Sequence, residues 1–277
     1  MRIERERTHL PALLLAAAAF AIGPEVAARA DSIASKSTFL PAVHVIGASG
    51  VYRTDVSIFN PDPDRSVQVV LYYTPAGADG TNLNGLRITP DLRPRESVSL
   101  EDIVVAYLGY PDGFGLLEVQ GSDPLIVTSN TYNVGGALAG TYGQFSPGQP
   151  ERKALGFDDS VFGDLYVTGL KNDPNFRTNV AIMNPTGVPL EAGVQLVGPA
   201  GGDPWAGRAY RIPPYSIVQI NDLFEKEFVA AGAPRGGPYR LTVFVNLSND
   251  ARVLCYASVT DLRTGDPYLI TGEPIRP

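Results

Sequence analysis

The chain has 277 residues, a formal net charge of −7, 29 glycines, 24 prolines and a single cysteine. So much glycine and proline argues against long helices, and one cysteine excludes an intrachain disulfide framework. An acidic chain with scattered charges and no basic stripe is unsuited to nucleic acid, whose affinity comes largely from phosphate neutralisation.

Residues 1–30 read as a signal peptide. Arg2, Arg5 and Arg7 start it, residues 10–23 form an apolar run too short to span a bilayer, and Ala28-Arg29-Ala30 gives the small-x-small cleavage pattern. The mature chain is expected to begin near Asp31 with a net charge of −8, because four basic and three acidic residues leave with the leader. No later segment has 18 uninterrupted apolar residues, so no membrane span is expected in the mature chain. The expected location is the periplasm or the exterior.

After the leader, short β-rich runs alternate with Gly, Pro, Asn and Asp clusters. Strands are predicted over 56–59, 67–73, 115–119 and 125–132, with a short helix over 101–108. Residues 145–163 read as a linker in which Ser146-Pro147-Gly148-Gln149-Pro150 is extended and exposed. Strands follow over 180–183, 193–197, 210–212, 216–220, 239–245 and 252–260, with a second short helix over 222–230.

The second half repeats the first. Between 53–77 and 177–201, ten of 25 positions are identical without a gap, including Arg53-Thr54 with Arg177-Thr178 and Asn60-Pro61 with Asn184-Pro185. Farther on, 92–103 aligns with 212–223, four residues out of step with that offset. The pattern predicts an all-β chain of two tandem Ig-like antiparallel β-sandwich domains, each with one short helix. The boundaries are 38–144 for the first domain and 164–272 for the second, with 273–277 as a tail.

The repeated residues read as structural. Asp102 and Asp222 recur at helix starts, where a carboxylate caps free N–H groups and complements the helix dipole. Asn60 and Asn184 end a strand before proline, as turn punctuation. Arg53 and Arg177 open that strand and are expected to pair with a neighbouring loop. Cys255, inside an apolar run, is expected to be a buried strand residue.

Catalytic signatures are sparse. His44 is the only histidine beyond the leader, and no Gly-x-Ser-x-Gly elbow, phosphate-binding loop or dinucleotide fingerprint occurs. Asp62-Pro63-Asp64 and Asn172-Asp173-Pro174-Asn175 gather oxygen atoms but match no calcium loop, and are read as hydrated turns. No cofactor or metal is expected. The strongest binding candidate is the 199–208 loop with the only tryptophan, Trp205, flanked by Asp203 and Arg208. Its counterpart in the first copy carries Asp79 and Asn82. The competing expectation, which ranks slightly ahead, is that Trp205 folds back to cover a sandwich end or the domain junction.

The motifs Tyr210-Arg211-Ile212-Pro213-Pro214, Ile220-Asn221-Asp222-Leu223 and Pro124-Leu125-Ile126-Val127 resemble the small β-sandwich of the bacterial sensory rhodopsin transducer family. They are also similar to tandem sandwich repeats of uncharacterised secreted bacterial proteins. The chain departs from the transducers by its signal peptide and its two copies. What the resemblance implies is a non-enzymatic sandwich that binds or assembles. The expected function is therefore a non-catalytic exported binding module, recognising a glycan or a surface protein through sandwich-end loops. Two alternatives are a cell-envelope assembly protein using exposed edge strands, with oligomers possible, and a carboxylate-based hydrolase.

Overall fold

A computed structural model describes residues 34–47, 50–135, 142–157, 164–246 and 250–274. The expected signal peptide lies outside the described residues, as do part of the expected linker and the last three residues of the tail. The first half runs β1 (Ser35–Gly47), β2 (Gly50–Phe59), β3 (Val67–Pro75), β4 (Leu86–Leu92), β5 (Ser97–Leu100), α1 (Ile103–Ala106), β6 (Gly113–Val134), β7 (Gly143–Pro147) and β8 (Gln149–Pro150). A 3-10 turn (Glu151–Lys153) leads through β9 (Leu155–Gly156) to β10 (Asp164–Asn172), β11 (Phe176–Asn184), β12 (Leu190–Val197), β13 (Trp205–Ile212) and β14 (Ser216–Ile220). A π-helical turn (Phe224–Phe228) precedes β15 (Gly236–Val245), β16 (Arg252–Asp261), β17 (Pro267–Thr271) and β18 (Glu273–Pro274).

The chain is all-β, and its sheets are antiparallel. In the second half one sheet has the order β13-β12-β15-β10-β18, and the other runs β14-β11-β16-β17 with β9 added to β16. The first half has the same neighbours, β4-β3-β6-β1-β8 and β5-β2-β6-β7, joined into one sheet because β6 serves both layers. The strands predicted over 115–119 and 125–132 are thus one strand. The Gly121-Ser122-Asp123-Pro124 turn between them is a bend inside β6, where Gly121 lies so close to Asp123 O that a Cβ there would stand 2.4 Å from it.

Alternation with a period of two assigns each side chain to one face. Leu40, Val56, Ile58, Leu71, Leu117 and Val119 fill the first core, and Val167, Val180, Ile182, Val194, Leu241 and Cys255 fill the second. The intervening residues explain the apolar runs. Ala181, Met183, Leu254 and Tyr256, on the opposite faces of β11 and β16, meet Phe39 and Leu116 of the first half in a third cluster. Strands buried on both faces read as continuous hydrophobic runs. The repeat diverges at these positions: Ser57 is exposed in β2, whereas its counterpart Ala181 is fully buried. Each large apolar side chain buried there contributes about 1.5–3 kcal/mol, and Ser32–Pro277 forms one compact unit.

Several expectations are corrected. The gapless alignment sets Val67 against Glu191, but pairing and burial match Val67 with Leu190, since Val67 faces Leu92 and Leu190 faces Ile212. A one-residue slip would turn the whole apolar face outward, so the shorter turn after Asn184 absorbs the difference. The predicted helices shrink to four residues and to a five-residue π-helical turn. The segment 146–150 is extended but not exposed. Ser146, Gln149 and Pro150 are buried because β7 pairs with β6 and β8 with β1.

Neither Asp102 nor Asp222 caps a helix with its carboxylate. Both adopt positive φ, 48° and 55°, and it is their backbone N–H groups that are held. The Asp102 N–H donates to Asp55 Oδ1 at 2.8 Å, and the Asp222 N–H donates to Asn179 Oδ1 at 3.0 Å. Asn60 and Asn184 do punctuate turns, from fully buried positions. Asn60 Nδ2 donates to the carbonyls of Arg65, Leu92 and Arg93, and Asn184 Nδ2 to those of Val188, Ile212 and Pro213.

Candidate functional site

A cleft of about 170 Å³ opens between the two halves. Its first-half wall is β3 and β6: Tyr72 and Thr74 come from one, Leu116, Glu118 and Gln120 from the other. The loop after β3 supplies Gly80, Thr81 and Leu83, and the turn before β14 supplies Tyr215. Two hydrogen bonds hold that loop on the second half. The Gly80 N–H donates to Pro214 O at 2.9 Å, and the Gly77 N–H donates to Ser216 Oγ at 3.1 Å.

Tyr215 reaches the cleft through a turn that both halves share. Arg95 and Tyr215 occupy the same position after a proline, both with positive φ (59° and 49°), and their N–H groups donate to Asp62 O and Thr186 O. That conformation suits glycine or asparagine, and a bulky residue held there is strained. In the first half the residue is an exposed arginine, and in the second it is the aromatic wall of the cleft.

Glu118 is the chemical centre. It is 9% exposed and accepts hydrogen bonds at Oε1 from Ser37 Oγ (2.7 Å) and Gln120 Nε2 (2.8 Å). Among the described residues no lysine or arginine pairs with it. Burial pushes its pKa above the ordinary glutamate range; the two hydrogen bonds offset part of this, and Glu151 raises it further. The Tyr215 hydroxyl is raised too, by burial first and then by Glu118 and Glu151.

The residues singled out in the sequence divide between the halves. Asp79 and Asn82 frame Thr81 on the rim of the cleft. Asp79 Oδ1 accepts from the Thr81 N–H at 2.9 Å and from its hydroxyl at 2.7 Å, and Asn82 Nδ2 donates to that hydroxyl at 3.3 Å. These bonds from Thr81 hold the Asp79 carboxyl below its usual range. Trp205, Asp203 and Arg208 do not line the cleft. Trp205 is half-buried at the start of the edge strand β13, packed on the second core with its ring edge-on to Tyr239 at 6.2 Å. Asp203 is exposed beside it. Arg208 is committed to Glu227 at 2.7 Å, clamping β13 to the π-helical turn, and Tyr210 donates to the same carboxylate.

Of the other candidates, His44, Arg53 and Asp62 are engaged in ion pairs. His44 Nδ1 lies 2.8 Å from Asp102 Oδ1, and Arg53 Nε lies 3.7 Å from Asp102 Oδ2, tying β1 and β2 to α1. Arg177 is exposed and has no ion pair among the described residues. Asp62 of the acidic turn is occupied by Arg65, which also reaches Asp123 at 3.2 Å. Cys255 is fully buried, and burial pushes its thiol pKa up.

Glu118, Gln120, Tyr72 and Tyr215 escaped the sequence reading. One signal was present: Leu116-Leu117-Glu118-Val119 sets a carboxylate in a run buried on both faces, where an ionisable side chain is costly. The chain matches no protein-family model, and no curated protein is similar to it.

Proposed function

We propose that the chain is an exported, non-catalytic binding module, and that the cleft between its halves recognises a glycan or a segment of a surface protein. One observation carries this reading: a concave site lined by two tyrosines, three hydrogen-bonding side chains and a buried carboxylate, bordered by a first-half loop that is fastened to the opposite half. Such convergence of apolar walls with a few polar groups is what small ligands need. Export rests on the leader-like residues 1–30.

Two of the edge strands disfavour assembly by strand addition. Edge strand β4 carries Arg87, Pro90 and Asp91, and edge strand β13 carries Arg208 and Arg211, both in ion pairs. Proline and charge on an edge oppose strand addition.

The test is retention on immobilised cell-envelope polysaccharide and surface-protein fractions, comparing wild type with Tyr215→Ala and Trp205→Phe. Retention lost only with Tyr215→Ala supports the cleft. Retention lost only with Trp205→Phe moves recognition to the 199–208 loop. Retention of neither fraction by the wild type rejects the reading.

A further inference from the structure

We infer that the cleft selects a single hexose-sized ring bearing a primary ammonium group, an amino sugar whose nitrogen is not acylated, with Glu118 as its counter-ion. The inference rests on the binding-module reading of the cleft. It follows from what Glu118 lacks.

A buried carboxylate needs a cation or must stay protonated. At 9% exposure Glu118 has only the neutral donors Ser37 and Gln120, both on Oε1. The other titratable groups facing it are Glu151 of the 3-10 turn, which adds negative potential, and the hydroxyls of Tyr215 and Tyr72. No protein cation answers this charge among the described residues. A ligand ammonium entering the cleft supplies both the charge and the missing donor to the carboxylate. Charge-assisted hydrogen bonds of this kind are about twice as strong as neutral ones.

Size and lining set the remainder of the ligand. About 170 Å³ is below the ~300–1,000 Å³ of drug-sized sites, so one ring fills the cleft and any further sugars of a glycan lie outside it. Tyr72 and Tyr215 offer aromatic surface to an apolar ring face and to a cation. Thr74, Thr81 and Gln120 offer partners to ring hydroxyls. An anionic sugar is disfavoured, because no lysine or arginine among the described residues lines the cleft.

The test is calorimetric titration of the full chain with glucosamine, N-acetylglucosamine, glucose and Nα-acetyl-lysine methylamide, for wild type, Glu118→Gln and Tyr215→Ala. Glucosamine is expected to bind about tenfold or more tighter than the two neutral sugars, a gap of ~1.4 kcal/mol. Glu118→Gln should erase that gap while weak sugar binding persists, and Tyr215→Ala should weaken all sugars together. Selectivity for glucosamine should also fade as pH drops and Glu118 takes up its proton. Neutral sugars binding as tightly as glucosamine, with Tyr215→Ala still disruptive, would overturn the ammonium assignment and leave the cleft reading intact. Preference for the lysine derivative would overturn the amino sugar in favour of a protein side chain. Failure of every probe would overturn the inference, while envelope retention separately decides the cleft reading. Thermal unfolding of each variant separates loss of ligand from loss of fold.

Discussion

Gly80 donates its backbone N–H to Pro214 O at 2.9 Å, so a loop of the first half is fastened to the turn that presents Tyr215. There is no room for a side chain at that point. A Cβ on Gly80 would stand 2.4 Å from Thr74 Oγ1 and 2.8 Å from Tyr215 Cβ. Gly80→Ala should therefore lift the loop, cost about 1–3 kcal/mol as overpacking does, and weaken any ligand of the cleft. Urea denaturation and ligand titration on one variant check both effects. Unchanged affinity in a destabilised protein would show that the loop shapes the fold and not the site.

Asn60 and Asn184 each spend one amide on three carbonyls inside a buried turn. Their Oδ1 atoms accept from the N–H groups of Asp62 and Thr186, both at 3.0 Å. Alanine at either position strands those carbonyls, at about 2–4 kcal/mol. Aspartate should be worse, because a carboxylate would face carbonyl oxygens. Equilibrium unfolding of the four single variants gives the comparison, with similar losses expected from the two halves.

Local pattern made most of the strands legible, because alternation and turn residues are properties of adjacent positions. The repeat was legible for the same reason, down to the paired asparagines. The junction was not. Ala181 and Met183 differ from Ser57 and Phe59 by substitutions that look neutral until Phe39 and Leu116 are seen against that face. The cleft is harder still, since Glu118 and Tyr215 stand 97 positions apart and share a wall only through packing of the halves. Composition pointed instead to Trp205, whose loop in the first copy does border the cleft while its own does not. The helix-cap reading of Asp102 and Asp222 failed because spacing gives no hint of positive φ.

Cys255 should be inert in the folded protein. It is fully buried with its thiol pKa raised by burial, and a Cβ on Gly272 would lie 2.2 Å from its sulfur. Thiolate is the reactive form, so a thiol reagent should label the native chain only as fast as it opens and should label it at once in guanidinium. Rapid labelling of the native chain would contradict the packing of β16 against the segment around Gly272. Gly272→Ala should speed labelling by forcing the two apart.

Glu118 and Glu227 should give opposite pH signatures. Burial raises Glu227, but the side-chain bonds from Arg208 and Tyr210 and the Arg208 backbone N–H outweigh it, leaving its pKa below the usual value. A lowered native pKa gives stability that is present above the unfolded value of about 4.3 and is lost as pH falls through the native one. For Glu118 the native pKa is raised, so the unfolded chain releases its proton first. Stability then declines as pH rises from about 4.3 toward the native value. Glu118→Gln should thus raise the melting temperature at neutral pH, with the gain vanishing near pH ~4, whereas Glu227→Gln should lower it at neutral pH and converge with wild type in acid. Melting curves from about pH 3 to 8 test both. A Glu118→Gln variant that is less stable at every pH would make Glu118 a structural hub. A stabilised one marks a carboxylate kept at a cost to the fold, as binding residues commonly are.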